Sequence, residues 1–254
     1  MASFGILRDV NLQVSGLGCL FTTDKRSRAD LISYFRESGG VWVVTNSPLK
    51  GELKVSEVLE ECCGDLASRV YFTYFQDKRL DDLEPFENAL MRLAVGYSRS
   101  YSKFVLEGFV RTIDRPRRRS FLEILSDLVD RFHVSLLLVS SVFMRECPHY
   151  YVLYGGRILE EGSGEPLHPY SRLLSRPEST ERRLNPPSLT GCPFRRDCRY
   201  AKGDRELLAR CSRDLPKGLK INEHTAVIRF CLDYRAIFKG KSHNCWSILF
   251  PVGT

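Results

Sequence analysis

A chain of 254 residues, 43% hydrophobic and 27% charged, is long enough for one large α/β domain with a small extension and has the balance of an ordinary globular protein. No apolar run reaches the length of about eighteen residues that a membrane-crossing helix needs, so direct insertion into a membrane is not expected. The net charge of +7 is scattered, and its one dense run, residues 115–120 (RPRRRS), precedes an amphipathic stretch without any aromatic-rich nucleic-acid motif, so no nucleic-acid partner is expected. The opening MASFGILRDV lacks the charged and apolar regions of a secretory leader, which points to a cytoplasmic location.

Residues 9–14 (DVNLQV) alternate and predict a strand, and residues 17–21 (LGCLF) predict a short buried one. Residues 27–37 have helical spacing, with Leu31, Ile32 and Phe35 on one face, and the following Ser-Gly-Gly ends the helix. Strands are predicted at 41–45, 69–75, 103–109 and 134–141, and helices at 54–63, 85–98 and 117–132. Pro85 suits the first turn of its helix. The stretch VSLLLVSS is dominated by leucine and valine, the pattern of a strand covered on both faces. Residues 150–154 and 157–162 close the series. Strands alternating with helices through short loops predict an α/β fold, a mostly parallel sheet flanked by helices.

Near residue 165 the texture changes. Prolines stand at 166, 169, 177, 186, 187 and 193, and apolar periodicity fades. The expected organisation is a domain over 1–164, a proline-rich linker over 165–190 and a cysteine-bearing module with its tail over 191–254.

Nine cysteines are many for a reducing compartment. Cys19 reads as plain core, Cys62 and Cys63 end a helix, and Cys147 and Cys245 are isolated. The other four, Cys192, Cys198, Cys211 and Cys231, fall in the tail and read as metal ligands before disulfides. Five, twelve and nineteen residues separate them in turn. Structural zinc usually takes two ligands two to four residues apart, whereas iron–sulfur clusters accept dispersed thiolates, so zinc stays as the alternative. His224 is the main rival ligand.

The segment GGRILEEG, then PLHPYSRLLS, then Asn185-Pro186-Pro187 with Cys192, Cys198, Cys211, Pro216, His224 and Cys231, resembles the end of ATP-binding subunits in the oligopeptide/dipeptide family of ABC transporters. The resemblance implies a P-loop-NTPase-like core, a 4Fe–4S cluster on the four cysteines, and two kinds of partner: a second ABC ATPase subunit and membrane-spanning permease subunits. It also implies a peripheral position on the inner face of the cell membrane. His168 lies in the HPY element, which reads as structural, packing the linker on the domain.

The nucleotide-site positions that the resemblance designates are degenerate. The Walker A segment TTDKRSRAD has no glycine; Arg28 stands at the lysine position, Ala29 at the metal-hydroxyl position, and Asp24 adds negative charge where phosphate would sit. Glu107 takes the Walker B carboxylate position and Gly108 that of the general base. Ser141 stands for the switch histidine, LEPFE (residues 83–87) for the signature, and Gln76 for the Q-loop glutamine; Asp114 matches the D-loop. Gln76 and Leu83 are only seven apart, so the helical subdomain is expected to be missing.

Arg28, Gln76 and Glu107 are the residual cofactor-site positions, no catalytic residue is assigned, and ATP binding is not expected. The reading is a non-catalytic ATPase-like subunit or regulator of a peptide-type transporter. The alternatives are a stand-alone iron–sulfur or metal protein on a relic fold, and a residual ATP-binding subunit driving peptide import.

Overall fold

The computed structural model describes residues 5–8, 10, 12, 15–63, 70–176, 184–213, 219–222 and 225–228. Five short apolar segments form its parallel strands: β1 (Leu17–Phe21), β2 (Trp42–Thr45), β3 (Lys103–Glu107), β4 (Ser135–Ser140) and β5 (Tyr150–Tyr154). They lie in the order β2-β3-β4-β1-β5, with every neighbouring pair parallel. β6 (Arg157–Gly162) turns back antiparallel to β5, and the sheet continues through β8 (Thr225–Ile228) to β7 (Leu219–Asn222), both antiparallel.

Alternation along β4 shows how the sheet is covered. Leu136 and Leu138 enter one buried cluster with Phe104, Leu106, Phe121 and Leu125, while Leu137 and Val139 enter the other with Leu20, Leu31 and Phe35. Successive side chains of a strand point to opposite faces, so a run apolar at every position needs a layer on each side. On the second face that layer is α1 (Lys25–Glu37). On the first, α4 (Pro85–Ser98) and α5 (Arg115–Phe132) share it with the cysteine-bearing segment, whose Cys192, Phe194, Leu207 and Cys211 join the same cluster. The charged run at 115–120 forms the largely exposed start of α5.

Between β2 and β3 stand α2 (Val55–Cys62), α3 (Val70–Thr73), a 3-10 turn (Leu80–Asp82) and α4, which pack on one another around Val55, Leu59, Phe72, Phe75, Leu90 and Met91. The helical subdomain expected to be missing is therefore present in shortened form: the spacing from Gln76 to Leu83 misled because the insert begins before Gln76, at α2. Residues 70–73 overturn the strand expected over 69–75. Phe72 and Phe75 are three apart, and both are buried in this cluster with ring centroids 5.6 Å apart. A helical turn brings such a pair to one face, whereas a strand would send it to opposite faces. Of the strand expected at 9–14, Val10 and Leu12 are described; they pack half-buried beside the α1 cluster and belong to no strand, and the other four residues lie outside the described set.

Two cysteine expectations change. Cys19 is buried core, but it is also joined by a disulfide to Cys147, and Cys62 is joined to Cys63 at the end of α2.

The β5–β6 hairpin turns on Gly155 and Gly156, at φ 58° and 74°. A Cβ on Gly155 would stand 2.7 Å from Cβ of Pro193 and 2.8 Å from Cβ of Pro187, and one on Gly156 would collide with the carbonyl of Ile6. Only glycine gives both the left-handed backbone and the room.

Candidate functional site

The β1–α1 loop carries the first part of the site. Asp24 is the N-cap of α1, and its Oδ1 accepts from the backbone N–H of Arg26 (3.1 Å) and Ser27 (3.4 Å). Its Oδ2 accepts from the Ser27 hydroxyl (2.5 Å) and from the N–H of Gly155 (3.0 Å). The Ser27 Oγ in turn accepts from the N–H of Gly156 at 2.7 Å. A helix N-terminus with open amides is a ready anion site. Here a carboxylate of the chain itself takes two of those amides, at Arg26 and Ser27.

Beyond it, a cleft of about 290 Å³ opens over the carboxyl ends of the parallel strands. That is where open α/β sheets present ligand sites. Arg28, Asn46, Glu107, Gly108, Arg111 and Ser141 line it. Arg28 and Glu107 meet there: Nε stands 3.4 Å from Oε1, both side chains mostly covered. The pair sets the residual cation and the residual carboxylate against each other, so the Glu107 charge is offset by Arg28 rather than left for Mg²⁺. A nucleoside triphosphate with its metal needs an amide cradle, a free cation and a free carboxylate. Arg111 brings a cation to the cleft, but the amide cradle and a free carboxylate are missing among the described lining residues, so the residues present do not fit that group.

Gln76 does not line the cleft; its carbonyl accepts from the N–H of Ser56 at the head of α2. The amide side chain at the cleft is Asn46, which sequence reasoning missed. Its Nδ2 donates to the Thr112 hydroxyl at 3.1 Å. The available signal was a polar residue directly after the β2 run, at a strand's carboxyl end. Residues 83–87 form the head of α4, where Glu87 accepts from the N–H of Glu84 (2.9 Å) and pairs with Lys78 (2.8 Å). Asp114 is the N-cap of α5.

The HPY element forms α6 (Pro169–Leu174) and is tied to the sheet through Glu160 of β6, which is fully buried. Glu160 accepts from Leu167 N–H (2.7 Å), His168 N–H (2.9 Å) and the Tyr150 hydroxyl (2.9 Å). Burial pushes its carboxyl above the usual range despite these bonds. A group whose folded value is raised contributes fully below its unfolded value and loses that contribution as pH rises through the folded one. The stability of wild type measured against Glu160→Gln is therefore expected to fall as pH rises from about 4.5, read from urea midpoints. A stability difference that ignores pH would refute this.

The Tyr170 hydroxyl accepts from the N–H of Thr23 (3.1 Å) and lies 2.9 Å from the Thr23 hydroxyl, so the HPY element abuts the β1–α1 loop. His168 Nδ1 accepts from the N–H of Tyr170 at 3.1 Å, which places the imidazole proton on Nε2. Nε2 faces Cys192 Sγ at 4.0 Å, both groups buried. His168 thus stands beside the cysteine segment as a donor toward sulfur.

Cys192 and Cys211 sit on adjoining backbone, the N–H of Cys192 donating to the carbonyl of Cys211 at 2.9 Å. Gly191, at φ 61°, permits this approach, since a Cβ there would collide with that carbonyl. Cys198 is the half-buried N-cap of α7 (Arg199–Gly203), and Cys211 lies in α8 (Arg205–Arg213). Cys231 and His224 lie outside the described residues, and among the described residues no three metal-ligating side chains already converge on one point. The donor chemistry, soft thiolates on one close-packed segment, fits an iron–sulfur cluster or zinc.

The parallel order with its switch at β1, the cleft over the strand ends and the helical insert between β2 and β3 define the fold of ABC-transporter ATP-binding subunits. Two solved structures share it. One is cbiO1 from Clostridium perfringens, part of the ABC transporter complex cbiONQ, at a TM-score of 0.51 and 11% identity over 62% of this chain and 82% of that one. The other is a metal-chelate type ABC transporter in an inward-facing conformation, at 0.50 and 9% over 64% of this chain and 78% of that one. At these identities the likeness establishes the fold. No protein-family model matches the chain, and no curated protein matches it in sequence. No helix among the described residues is long and apolar enough to cross a membrane.

Proposed function

We propose that the chain is a non-catalytic, ATPase-like subunit or regulator of an oligopeptide/dipeptide-type ABC transporter, with a 4Fe–4S cluster on Cys192, Cys198, Cys211 and Cys231. The observation that carries the non-catalytic reading is the Asp24 carboxylate at the head of α1, which holds two of its open amides and brings a negative charge to the place of a phosphate. The Arg28–Glu107 pair supports it by engaging the residual cation and the residual carboxylate with each other. ABC subunits form each nucleotide site from two chains, so a chain of this kind would silence the sites of any pair it joins. Its partners are a second ATPase subunit and permease subunits, and its place is the cytoplasmic face of the membrane. The transporter class rests on the HPY and cysteine motifs.

Mg·ATP titrated into the purified chain is expected to give no saturable binding and no phosphate release; Mg-dependent turnover by the chain alone would overturn the non-catalytic reading. The cluster has its own test. Anaerobically purified protein is expected to be brown, with about four irons and matching sulfide per chain. Cys198→Ser is expected to lose most of that iron, read by absorption and metal analysis. Stoichiometric zinc without iron would replace the cluster by the alternative.

A further inference from the structure

Away from the cleft, a second cavity of about 90 Å³ lies between α6 and the cysteine-bearing segment. Leu173 and Phe194 line it together with the polar residues Arg172, Arg176, Arg199 and Tyr200. Arg172 and Arg199 are held in place before any ligand arrives. Arg172 is half-buried, and its Nε donates to the carbonyl of Pro166 at 3.2 Å, which fixes the plane of the guanidinium and leaves both terminal amino groups available. The guanidinium carbon of Arg199 stands 4.7 Å from the Tyr200 ring centroid, and its terminal amino group donates to the Tyr200 hydroxyl at 2.7 Å. Neither arginine has an ion-pair partner among the described residues. The cavity's carboxylate, Asp197, is already engaged: Oδ2 accepts from the backbone N–H of Asn185 (2.8 Å) and Oδ1 from its side-chain amide (2.7 Å).

Two preset guanidinium forks with no ion pair among the described residues, facing one carboxylate whose oxygens are held by Asn185, leave the cavity with a net positive lining that is complementary to an oxyanion. A planar fork matches two oxygens of a phosphate at once, and restraining it beforehand lowers the entropy lost on binding. The cavity has room for such a group or a few waters, but not for a nucleotide. We infer that this cavity is a binding site for a phosphate-type oxyanion, with Arg172 and Arg199 as its ligands and Tyr200 as the platform that holds Arg199.

The test is calorimetric titration of inorganic phosphate into the full chain, with ionic strength held constant by chloride. Saturable one-site binding is expected, weakened at least about tenfold in Arg172→Gln and in Arg199→Gln, since each removes a charge-assisted fork. Arg205→Gln, an exposed arginine outside the cavity, is expected to bind as wild type does. Arg199 is exposed, so its variant reports on the site even where Arg172→Gln perturbs folding. Co-sedimentation with phosphatidylglycerol vesicles, against phosphatidylcholine vesicles, separates a lipid phosphate from a free one. Binding to the former alone, lost in the same two variants, assigns the oxyanion to a headgroup. Absence of both saturable phosphate binding and vesicle binding, or an equal loss in Arg205→Gln, overturns the site.

Discussion

Asp24→Ala is expected to destabilise the fold by about 2–4 kcal/mol. As N-cap the carboxylate serves two amides at the head of α1, and losing such a cap costs about 0.5–2 kcal/mol. The larger share comes from Gly155, whose partly buried N–H points at Oδ2 from the β5–β6 turn. Alanine leaves that donor without its charged acceptor, and a hydrogen bond to a charged group contributes about 1.5–3 kcal/mol. The Ser27 hydroxyl also loses its acceptor, although it keeps the N–H of Gly156. Asp24→Asn keeps one oxygen and is expected to cost roughly half as much. Urea denaturation of both variants checks this, and an unchanged midpoint for Asp24→Ala would sink it. Neither variant is expected to gain ATP turnover, because Arg28 and Glu107 stay engaged with each other.

Tyr170→Ala is expected to cost about 3–5 kcal/mol, the range for deleting a fully buried aromatic ring. The ring packs 4.4 Å from that of Tyr154 and 5.3 Å from that of Phe194, between sheet and cysteine segment. Tyr170→Phe keeps the packing and removes only the hydroxyl bonded to Thr23, so about 1–2 kcal/mol is expected. The two variants separate filling from tethering. If both unfold at the wild-type midpoint, the HPY element does not anchor the linker to the sheet.

What could be read from the sequence was local or periodic. The leucine–valine run of β4 requires cover on both faces, and it lies at the middle of the parallel strands. The Leu31, Ile32 and Phe35 face of α1 follows from helical spacing alone. Asp24 was legible as a misplaced charge, but not as a cap for Gly155, because 131 residues separate the two. The Cys19–Cys147 bridge spans 128 residues and has no local signature. The aromatic stretch at 69–75 misled because tyrosine and phenylalanine favour strands wherever a sheet has room, and here the neighbours are helices. Gln76 followed that error, whereas Asn46 took its place at the cleft from the end of a strand that was correctly read.

The bend at Gly155 and Gly156 joins parts of the chain that meet nowhere else in sequence. Its two amides hold Asp24 and Ser27, the carbonyl of Gly156 receives the N–H of Arg8, and the empty space beside Gly155 admits Pro187 and Pro193. It acts as a keystone: a methyl group on Gly155 would press on the arch that carries the thiols, one on Gly156 would press on the N-terminal segment, and either shift would move the amides that hold the helix head. Damage at one of these three places would therefore surface at the other two.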